Sequence, residues 1–361
     1  FEGTDINTNP ANRKPVGTGP YKLAEWVTDE KIVLVANDLY FRGRPHIDRY
    51  IYRIIPDMSV QFLELRQGTL SMLTPTPDQY NGYPEFFNAY DKYHYPAFRY
   101  DYVAFNLENP LFKDKRVRQA LAMAVNRDEI ITGVYQGLAV PSTGPFPPTS
   151  WAYNPDVKPR PYDIAAAKAL LAEAGWKDTD GDGVLDKEGK PFAFTLVTNQ
   201  GNKVRESMAL VIQNGFARVG VKMEVRIMEW SVFIHKYVDA KQFEAVLLAW
   251  NLARDPDCLT IWHSSQRAPG QYNYVSYVNP EVDRLLEAGV RTFDIEERKK
   301  AYHRVHALIA EDVPYIFLTT PESLPVVHKK IVGVEKAAAG LGWNFEDWFI
   351  PKVWQKTGHA S

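Results

Sequence analysis

The 361-residue sequence is longer than chains that fold around a single hydrophobic core, so we expect two lobes. Its 42 basic and 44 acidic residues are interspersed and leave a formal net charge of −2, which excludes the basic stripe typical of nucleic-acid binding and the polybasic patch of a membrane-surface protein. No apolar run approaches the ~20 residues that a membrane-spanning helix needs. Cys258 is the only cysteine, so an internal disulfide is excluded and we expect a buried free thiol.

The N-terminal part of the sequence alternates predicted strands with a predicted helix, an α/β pattern. The helix is expected to end at Gly68, because glycine tolerates the left-handed backbone conformation that often follows a helix. The predicted elements, in order, are the hairpin strands Tyr21–Val27 and Lys31–Ala36, the strand Ile47–Ile55, the helix Met58–Arg66 and the extended run Tyr93–Phe105.

The stretch Asn106–Gly137 predicts a pair of helices. Asp114 has the side chain to cap the first helix, and apolar residues follow it at helical spacing, so one face of that helix should be buried. Asp128 is the predicted cap of a second, short helix that Gly137 closes.

The rest of the sequence continues the α/β pattern after a loop rich in Pro, Gly and Ser, VPSTGPFPPTSWAYNP. The run Phe243–Trp250 is almost continuously apolar, which is typical of a central strand covered on both faces. Asp294 and Glu297 have the spacing of a capping box. The predicted helices are 163–174, 202–218, 230–240, 280–290 and 294–312, and the predicted strands are 192–197, 221–227, 243–250 and 314–319.

Six segments, in this order, resemble landmarks of one family: VGTGPYKLAEW, FNLENPLFKDKRVRQALAMAVNRDEI, AAKALLAEAGW, WNLARDPD, YVNPEVDRLLEAG and RKKAYHRVHALIAEDVPYIFL. The sequence is similar to the family 5 extracellular solute-binding proteins, the peptide- and nickel-binding receptors of ABC importers. FLELRQGTLSML departs slightly from the family pattern, because Ser71 stands where Asp is common.

The resemblance implies an α/β, two-lobed fold like that of the type II periplasmic binding proteins, whose lobes close over the solute like a Venus flytrap. It places a partial first lobe at residues 1–106, the second lobe at 107–318, and a return segment to the first lobe at 319–361. Members of the family carry a much longer segment before the Gly-Thr-Gly-Pro hairpin. We therefore expect this chain to be the C-terminal portion of a longer receptor, with an incomplete first lobe.

The function implied by the resemblance is transport without catalysis. We expect an extracytoplasmic receptor, periplasmic or extracellular and with a lipid anchor as one option in the full-length protein, that requires no cofactor. Its partners would be an oligopeptide and an ABC permease in the membrane, with no nucleic acid. The alternatives are a receptor for oligosaccharides or other small solutes, a hydrolase acting on peptides or sugars in a similar cleft, and a sensory or scaffold relative that binds no solute. Neither Gly-x-Ser-x-Gly nor His-Glu-x-x-His occurs in the sequence.

The segment WNLARDPD holds the main binding candidates. Some peptide binders of the family place an acidic residue three positions after this Trp, where it pairs with the ligand's ammonium group. Here that position is Ala253, so the ammonium clamp is absent or has moved to Asp255 or Asp257, which disfavours strict dipeptide binding. Trp250 is either a ligand-stacking or a core residue, and Asp255 is either a ligand contact or the cap of the next helix. The ligand-binding candidates are Trp250, Asn251, Arg254, Asp255, Asp257, Tyr272, Asn273, Tyr102 and Asn106.

Two further groups of residues have the spacing of metal ligands. The segment DTDGDGVLD resembles a calcium loop, although its twelfth position is Gly189 instead of the usual Glu. A structural calcium and an unmetallated Asp/Gly turn explain it about equally well. His303 and His306 lie three apart on a predicted helix, where a solvated helix face is the expected interpretation. The candidate calcium ligands are Asp178, Asp180, Asp182 and Asp186.

Overall fold

The computed structural model describes residues 9–337 and 340–355, and the chain divides into two compact units. Unit 1 takes in the chain up to Pro75, Gln79–Tyr95 and the chain from Leu324 onward, and unit 2 takes in Thr76–Asp78 and Pro96–Ser323. Both units mix helices and strands, as predicted. Among the described residues, no helix has the length and apolar character needed to cross a bilayer.

Unit 1 contains two small antiparallel sheets, in the orders β1-β2-β3 and β4-β16-β5. The predicted hairpin is confirmed at both strands, and α1 has the predicted bounds with Asp57 as its cap. Trp348, which is almost fully buried, anchors a core with Val327, Ile331 and Leu341. The elements are β1 (Tyr21–Val27), β2 (Lys31–Ala36), β3 (Arg49–Arg53), α1 (Met58–Arg66), β4 (Met72–Leu73), α2 (Pro77–Gly82), which begins in unit 2, β5 (Tyr90–Lys92) and β16 (Val326–His328).

Unit 2 is built on a five-stranded sheet in the order β12-β11-β13-β7-β14. β13 is parallel to β11 and antiparallel to β7, with Leu248 opposite Tyr102. It is therefore the central strand that its apolar sequence predicts. The strands are β6 (Tyr95–Pro96), at which the chain enters unit 2, β7 (Arg99–Phe105), β8 (Ala139–Pro141), β9 (Asp186–Lys187), β10 (Lys190–Pro191), β11 (Ala193–Asn199), β12 (Lys222–Met228), β13 (Ala245–Asn251), β14 (Tyr315–Phe317) and β15 (Thr319–Ser323).

Helices and loops pack on both faces of this sheet and form two apolar cores. One contains Leu121 of α3 and Phe216 of α6, and the other contains Trp262 of α8 and Val305 of α10. Strand residues contribute alternately to the two cores, because successive side chains of a strand point to opposite faces. The helices are α3 (Lys115–Met123), α4 (Arg127–Glu129), α5 (Ile164–Glu173), α6 (Lys203–Ala217), α7 (Trp230–Val232), α8 (Leu259–Trp262), α9 (Pro280–Arg291) and α10 (Ile295–Asp312), and α4 and α7 continue as the π-helical turns Ile130–Val134 and Phe233–Asp239.

Two predicted helix starts need correction. The cap of α4 is Asn126, whose side-chain oxygen accepts the Glu129 amide at 3.2 Å, and not Asp128. The capping box of α10 is only half formed. Asp294 caps the helix as predicted, but the Glu297 carboxylate accepts from the Thr292 hydroxyl at 3.2 Å and does not bond back to the Asp294 amide.

Candidate ligand-binding site

The carboxyl end of β13 borders a cavity of about 280 Å³ that lies within unit 2. The strand order reverses between β11 and β13, because β12 lies on one side of β11 and β13 on the other. In open α/β sheets, ligands bind outside the carboxyl ends of the strands at such a switch point. The volume suits one large side chain or a small solute. The lining residues are Phe98, Pro145, Phe146, Pro147, Ser150, Trp250, Asn251, Leu252, Ala253, Asp255, Pro256, Asp257, Cys258, Thr260, Ile261 and Tyr272.

Trp250 joins the cavity to a buried aromatic layer. Its ring is nearly parallel to that of Tyr102 at 6.5 Å, and Tyr272 meets it edge-on at 5.5 Å. Its indole N–H donates to the Tyr315 hydroxyl at 3.4 Å. The side chain is half-buried and lines the cavity. Trp250 therefore packs against the core while leaving part of its ring available to a ligand.

Asp255 lies on the cavity wall, but an arginine already engages its carboxylate. Arg298 donates two parallel hydrogen bonds, of 2.7 and 3.0 Å, to the two carboxylate oxygens. This bidentate pair, together with the Asp257 amide, holds the pKa of Asp255 below its usual range. A ligand ammonium at Asp255 would share the carboxylate with Arg298.

Asp257 lies two residues before α8, whose N-cap position is Cys258. Its side-chain oxygen accepts the Leu259 amide, at the first residue of α8, at 3.0 Å. The prediction that Asp255 caps this helix is wrong, because its carboxylate accepts the Asp257 amide, before the helix begins, and α8 has no side-chain cap at its N-cap position. Asp257 is an exposed residue that lines the cavity, so its carboxylate is open to a ligand.

The remaining predicted site residues fall into two groups. Asn251 and Tyr272 line the cavity, and Arg254 lies beside it with its guanidinium 4.3 Å above the ring of Phe98. The other three candidates, Tyr102, Asn273 and Asn106, do not line it.

These three side chains are engaged elsewhere in unit 2. Tyr102 is 1% exposed and hydrogen-bonds to the Tyr274 hydroxyl. Asn273 is fully buried, where its amide bridges the carbonyls of His263 and Tyr277 at 3.0 and 2.9 Å. Asn106 lies at the opposite end of β13, where its amide donates to the Phe243 carbonyl at 3.1 Å. Their roles in ligand binding stay predictions.

Cavity walls that the sequence analysis missed come from the Pro-rich loop. Phe146 and Ser150 lie in VPSTGPFPPTSWAYNP, whose density of Pro and aromatic residues was the only sequence signal. His306 of α10 holds this loop, with its Nε2 3.0 Å from the Thr143 hydroxyl and its Nδ1 accepting the Asn154 amide at 3.1 Å. The predicted solvated face is wrong for His306, which is fully buried.

Cys258 also lines the cavity, and it is 5% exposed, as predicted for a buried thiol. Burial raises the pKa of this thiol well above its usual value. Because the thiolate is the nucleophilic form, Cys258 is unsuited to covalent catalysis at neutral pH.

The acidic loop forms a compact group remote in sequence from the cavity. The carboxylates of Asp178, Asp180 and Asp182 lie within 4.8 Å of one another. Asp186 does not belong to this group, because its carboxylate accepts from the amide and hydroxyl of Thr179 at 2.8 and 2.7 Å. The carboxylates of the other three also accept hydrogen bonds from loop amides; that of Asp178, for example, accepts from the Gly181 amide at 2.8 Å. Such bonds are those of an Asp/Gly turn.

The chain belongs to the bacterial extracellular solute-binding proteins of family 5. The family model described as "Bacterial extracellular solute-binding proteins, family 5 Middle" matches residues 1–270. The predicted family and the predicted type II periplasmic-binding-protein-like fold class are thereby confirmed.

The individual relatives are named for different solutes. The oligopeptide-binding protein AppA of Bacillus subtilis is 39% identical over 352 residues, which cover 96% of this chain and 64% of AppA. Its structure with a nonapeptide matches with a TM-score of 0.88 at 38% identity, covering 96% of this chain and 69% of that one. The structure of NikZ from Campylobacter jejuni in complex with Ni(L-His) matches with a TM-score of 0.89 at 28% identity. The match covers 97% of this chain and 71% of NikZ. The heme-binding protein A of Haemophilus influenzae is 30% identical over a match that covers 84% of this chain and 54% of that protein. The chain thus spans less than two thirds of the length of the curated relatives AppA and heme-binding protein A.

Proposed function

We propose that this chain is part of a non-catalytic receptor that binds oligopeptides and delivers them to an ABC permease. The observation that carries the proposal is the aromatic cavity at the carboxyl end of β13, in a chain 39% identical to an oligopeptide-binding protein. Peptides need apolar pockets for their side chains and polar groups for their main chain. Trp250, Phe98, Phe146 and Tyr272 supply apolar walls, and Asn251 and Asp257 supply polar groups.

The location and partners follow from this role. An importer receptor works outside the cytoplasm, in the periplasm or at the cell surface, where a lipid anchor is one way to retain it. The family description as extracellular supports this location. No cofactor is required for binding, and nickel complexes or heme are the alternative solutes, because NikZ and heme-binding protein A are named for them.

Truncation of Trp250 tests the proposed site. We expect Trp250→Ala to weaken binding of an oligopeptide by about 30-fold, because interface aromatics often contribute about 2 kcal/mol or more. Trp250→Phe should retain much of the affinity, since it keeps an aromatic face. Isothermal titration calorimetry of the purified protein with a mixed-sequence nonapeptide measures both.

The matched control is Trp230→Ala, because Trp230 is 47% exposed in unit 2 and does not line the cavity. Peptide binding by the wild type that is unaffected by Trp250→Ala would refute the site. Failure of the wild type to bind any peptide in a length series, with binding of Ni(L-His) or heme, would replace the proposed solute class.

A structural calcium at the acidic loop is a separate hypothesis. If Asp178, Asp180 and Asp182 hold Ca²⁺, millimolar CaCl₂ should raise the thermal midpoint of the wild type relative to EDTA, because ligands of the native state stabilise it. The Asp180→Asn variant should respond much less. Identical midpoints with CaCl₂ and with EDTA would favour the unmetallated turn.

A further inference from the structure

The cavity at the carboxyl end of β13 has preformed walls. Phe146 is only 3% exposed, because its ring packs edge-on against the rings of Tyr302 and His306 at 5.6 and 6.0 Å. The cavity is also lined by the three prolines Pro145, Pro147 and Pro256. The proline ring fixes the backbone torsion φ, so these parts of the wall have little freedom to rearrange. The cavity therefore presents a defined shape to a ligand.

Two aromatic rings of the wall are only partly used by the protein itself. Trp250 is held by the buried rings of Tyr102 and Tyr274 at 6.5 and 6.4 Å, yet it is only half-buried. Phe98 is also half-buried and belongs to neither of the two apolar cores of unit 2. The guanidinium of Arg254 lies over its ring at 4.3 Å. Trp250 and Phe98 thus leave ring surface for contact with another aromatic group.

The size of the cavity matches one large side chain. Its volume is about 280 Å³. An apolar cavity of about 150 Å³ binds benzene, so this cavity has room for a benzene or indole ring together with the methylene that joins it to a peptide. An alanine side chain would leave most of the space unfilled, and the wall atoms would then lack contacts on one side.

The charges around the cavity disfavour an acidic side chain. Among the described residues that line it, Asp255 and Asp257 are acidic and none is basic. Arg298 neutralises Asp255, whereas Asp257 has no ion pair within the described part of the chain. The guanidinium of Arg254, which is not a lining residue, is engaged with the Phe98 ring. A carboxylate placed in the cavity would lie near that of Asp257, and like charges repel each other.

We propose that this cavity is a specificity pocket for one aromatic side chain of the bound peptide. The proposal rests on the proposed function and adds a substrate class. Peptides with Phe, Tyr or Trp at the position that enters the cavity are preferred over peptides with a small or an acidic residue there. Burial of the side chain removes a large apolar surface from water, and an aromatic ring gains further from contact with Trp250 and Phe98.

The test compares five nonapeptides of alternating Ser and Ala that differ only in the central residue, which is Phe, Leu, Ala, Lys or Glu. Because the central side chain is the only large one, the peptide can bind in the register that places it in the cavity. We expect the Phe peptide to bind at least about tenfold more tightly than the Ala and Glu peptides, with Leu and Lys between them. Isothermal titration calorimetry with the purified protein measures the five affinities.

Variants assign the preference to this cavity. Ala253 is exposed and lines the cavity, so Ala253→Leu should fill part of the space and lower the ratio of Phe to Ala affinity to less than about threefold. Phe98→Ala should lower the ratio of Phe to Leu affinity, because it removes an aromatic wall outside the cores. Ala268→Leu, at an exposed position of unit 2 that does not line the cavity, is the matched control and should keep both ratios of the wild type.

Each remaining outcome has one meaning. Equal affinity of the wild type for all five peptides, or tighter binding of the Lys or Glu peptide than of the Phe peptide, overturns the pocket but leaves the proposed function intact. Unchanged ratios in both Ala253→Leu and Phe98→Ala, in proteins that still unfold cooperatively, also overturn the pocket. Absence of binding of the five peptides and of the mixed-sequence nonapeptide to the wild type overturns both the pocket and the proposed function.

Discussion

Replacing Asp101 with asparagine is expected to lower the free energy of unfolding by about 3–5 kcal/mol, because removal of one partner leaves the other charge of a buried pair uncompensated. Asp101 is fully buried, and the Arg99 guanidinium that it pairs with at 2.6 Å depends on its negative charge. The amide of asparagine has nearly the same size but no charge, so the loss comes from electrostatics and not from a cavity. Urea unfolding followed by circular dichroism measures it.

Two further variants check this interpretation. Glu224→Gln removes a carboxylate from an exposed position of β12 and should change the stability by less than about 0.5 kcal/mol. Adding Arg99→Gln to Asp101→Asn should cost less than the sum of the two single changes, because the pair is then removed together. Additive effects would show that the two side chains do not stabilise each other.

Acidification from pH 7 to pH 5 is expected to destabilise unit 2 through His306. Burial lowers the pKa of His306 to about 4, from about 6.5 in the unfolded chain. The unfolded chain therefore binds the proton more readily than the folded protein, so the stabilising contribution is complete above pH 6.5 and is lost as the pH falls towards 4. The expected loss is about 2 kcal/mol by pH 5 and about 3 kcal/mol at lower pH.

The measurement compares thermal or urea unfolding of the wild type and His306→Asn at pH 7 and pH 5. Asparagine keeps an acceptor for the Asn154 amide but does not titrate, so the variant should be less stable at pH 7 and should lose less stability on acidification. Equal losses in the two proteins would show that His306 is not the titrating group.

Local patterns predicted the framework of the fold well. The predicted bounds of β1, β2 and α1 match the structure, and the closing glycine that marks the end of α1 is a signal carried by neighbouring residues. The central position of β13 follows from its unbroken apolar run. The predicted capping roles of Asp128 and Glu297 were wrong because several polar residues lie near each helix start. Only the folded backbone decides which of these residues reaches the free amides.

The binding-site residues were predictable only where they lie together in one short segment of the sequence. Trp250, Asp255 and Asp257 lie in one short segment after a strand, and all three line the cavity. Phe98, Phe146 and Arg298 meet that segment from distant parts of the chain, and neither periodicity nor a motif marks such a meeting. His306 illustrates the limit, because a histidine on a polar-looking helix becomes a buried anchor only once the Pro-rich loop packs over it.

The position of β7 in the sheet has a consequence for how unit 2 folds. β7 is the first strand of the five along the chain, yet it lies between β13 and β14, which come late in unit 2. During synthesis one edge of β7 stays unpaired until the chain has been made as far as Asn251 and the other until Phe317, so the sheet cannot close from its N-terminal end. Contacts between such distant segments are formed slowly, because the intervening chain must first be brought together. Until then β7, with its apolar residues exposed, is the segment of unit 2 most in need of protection from aggregation.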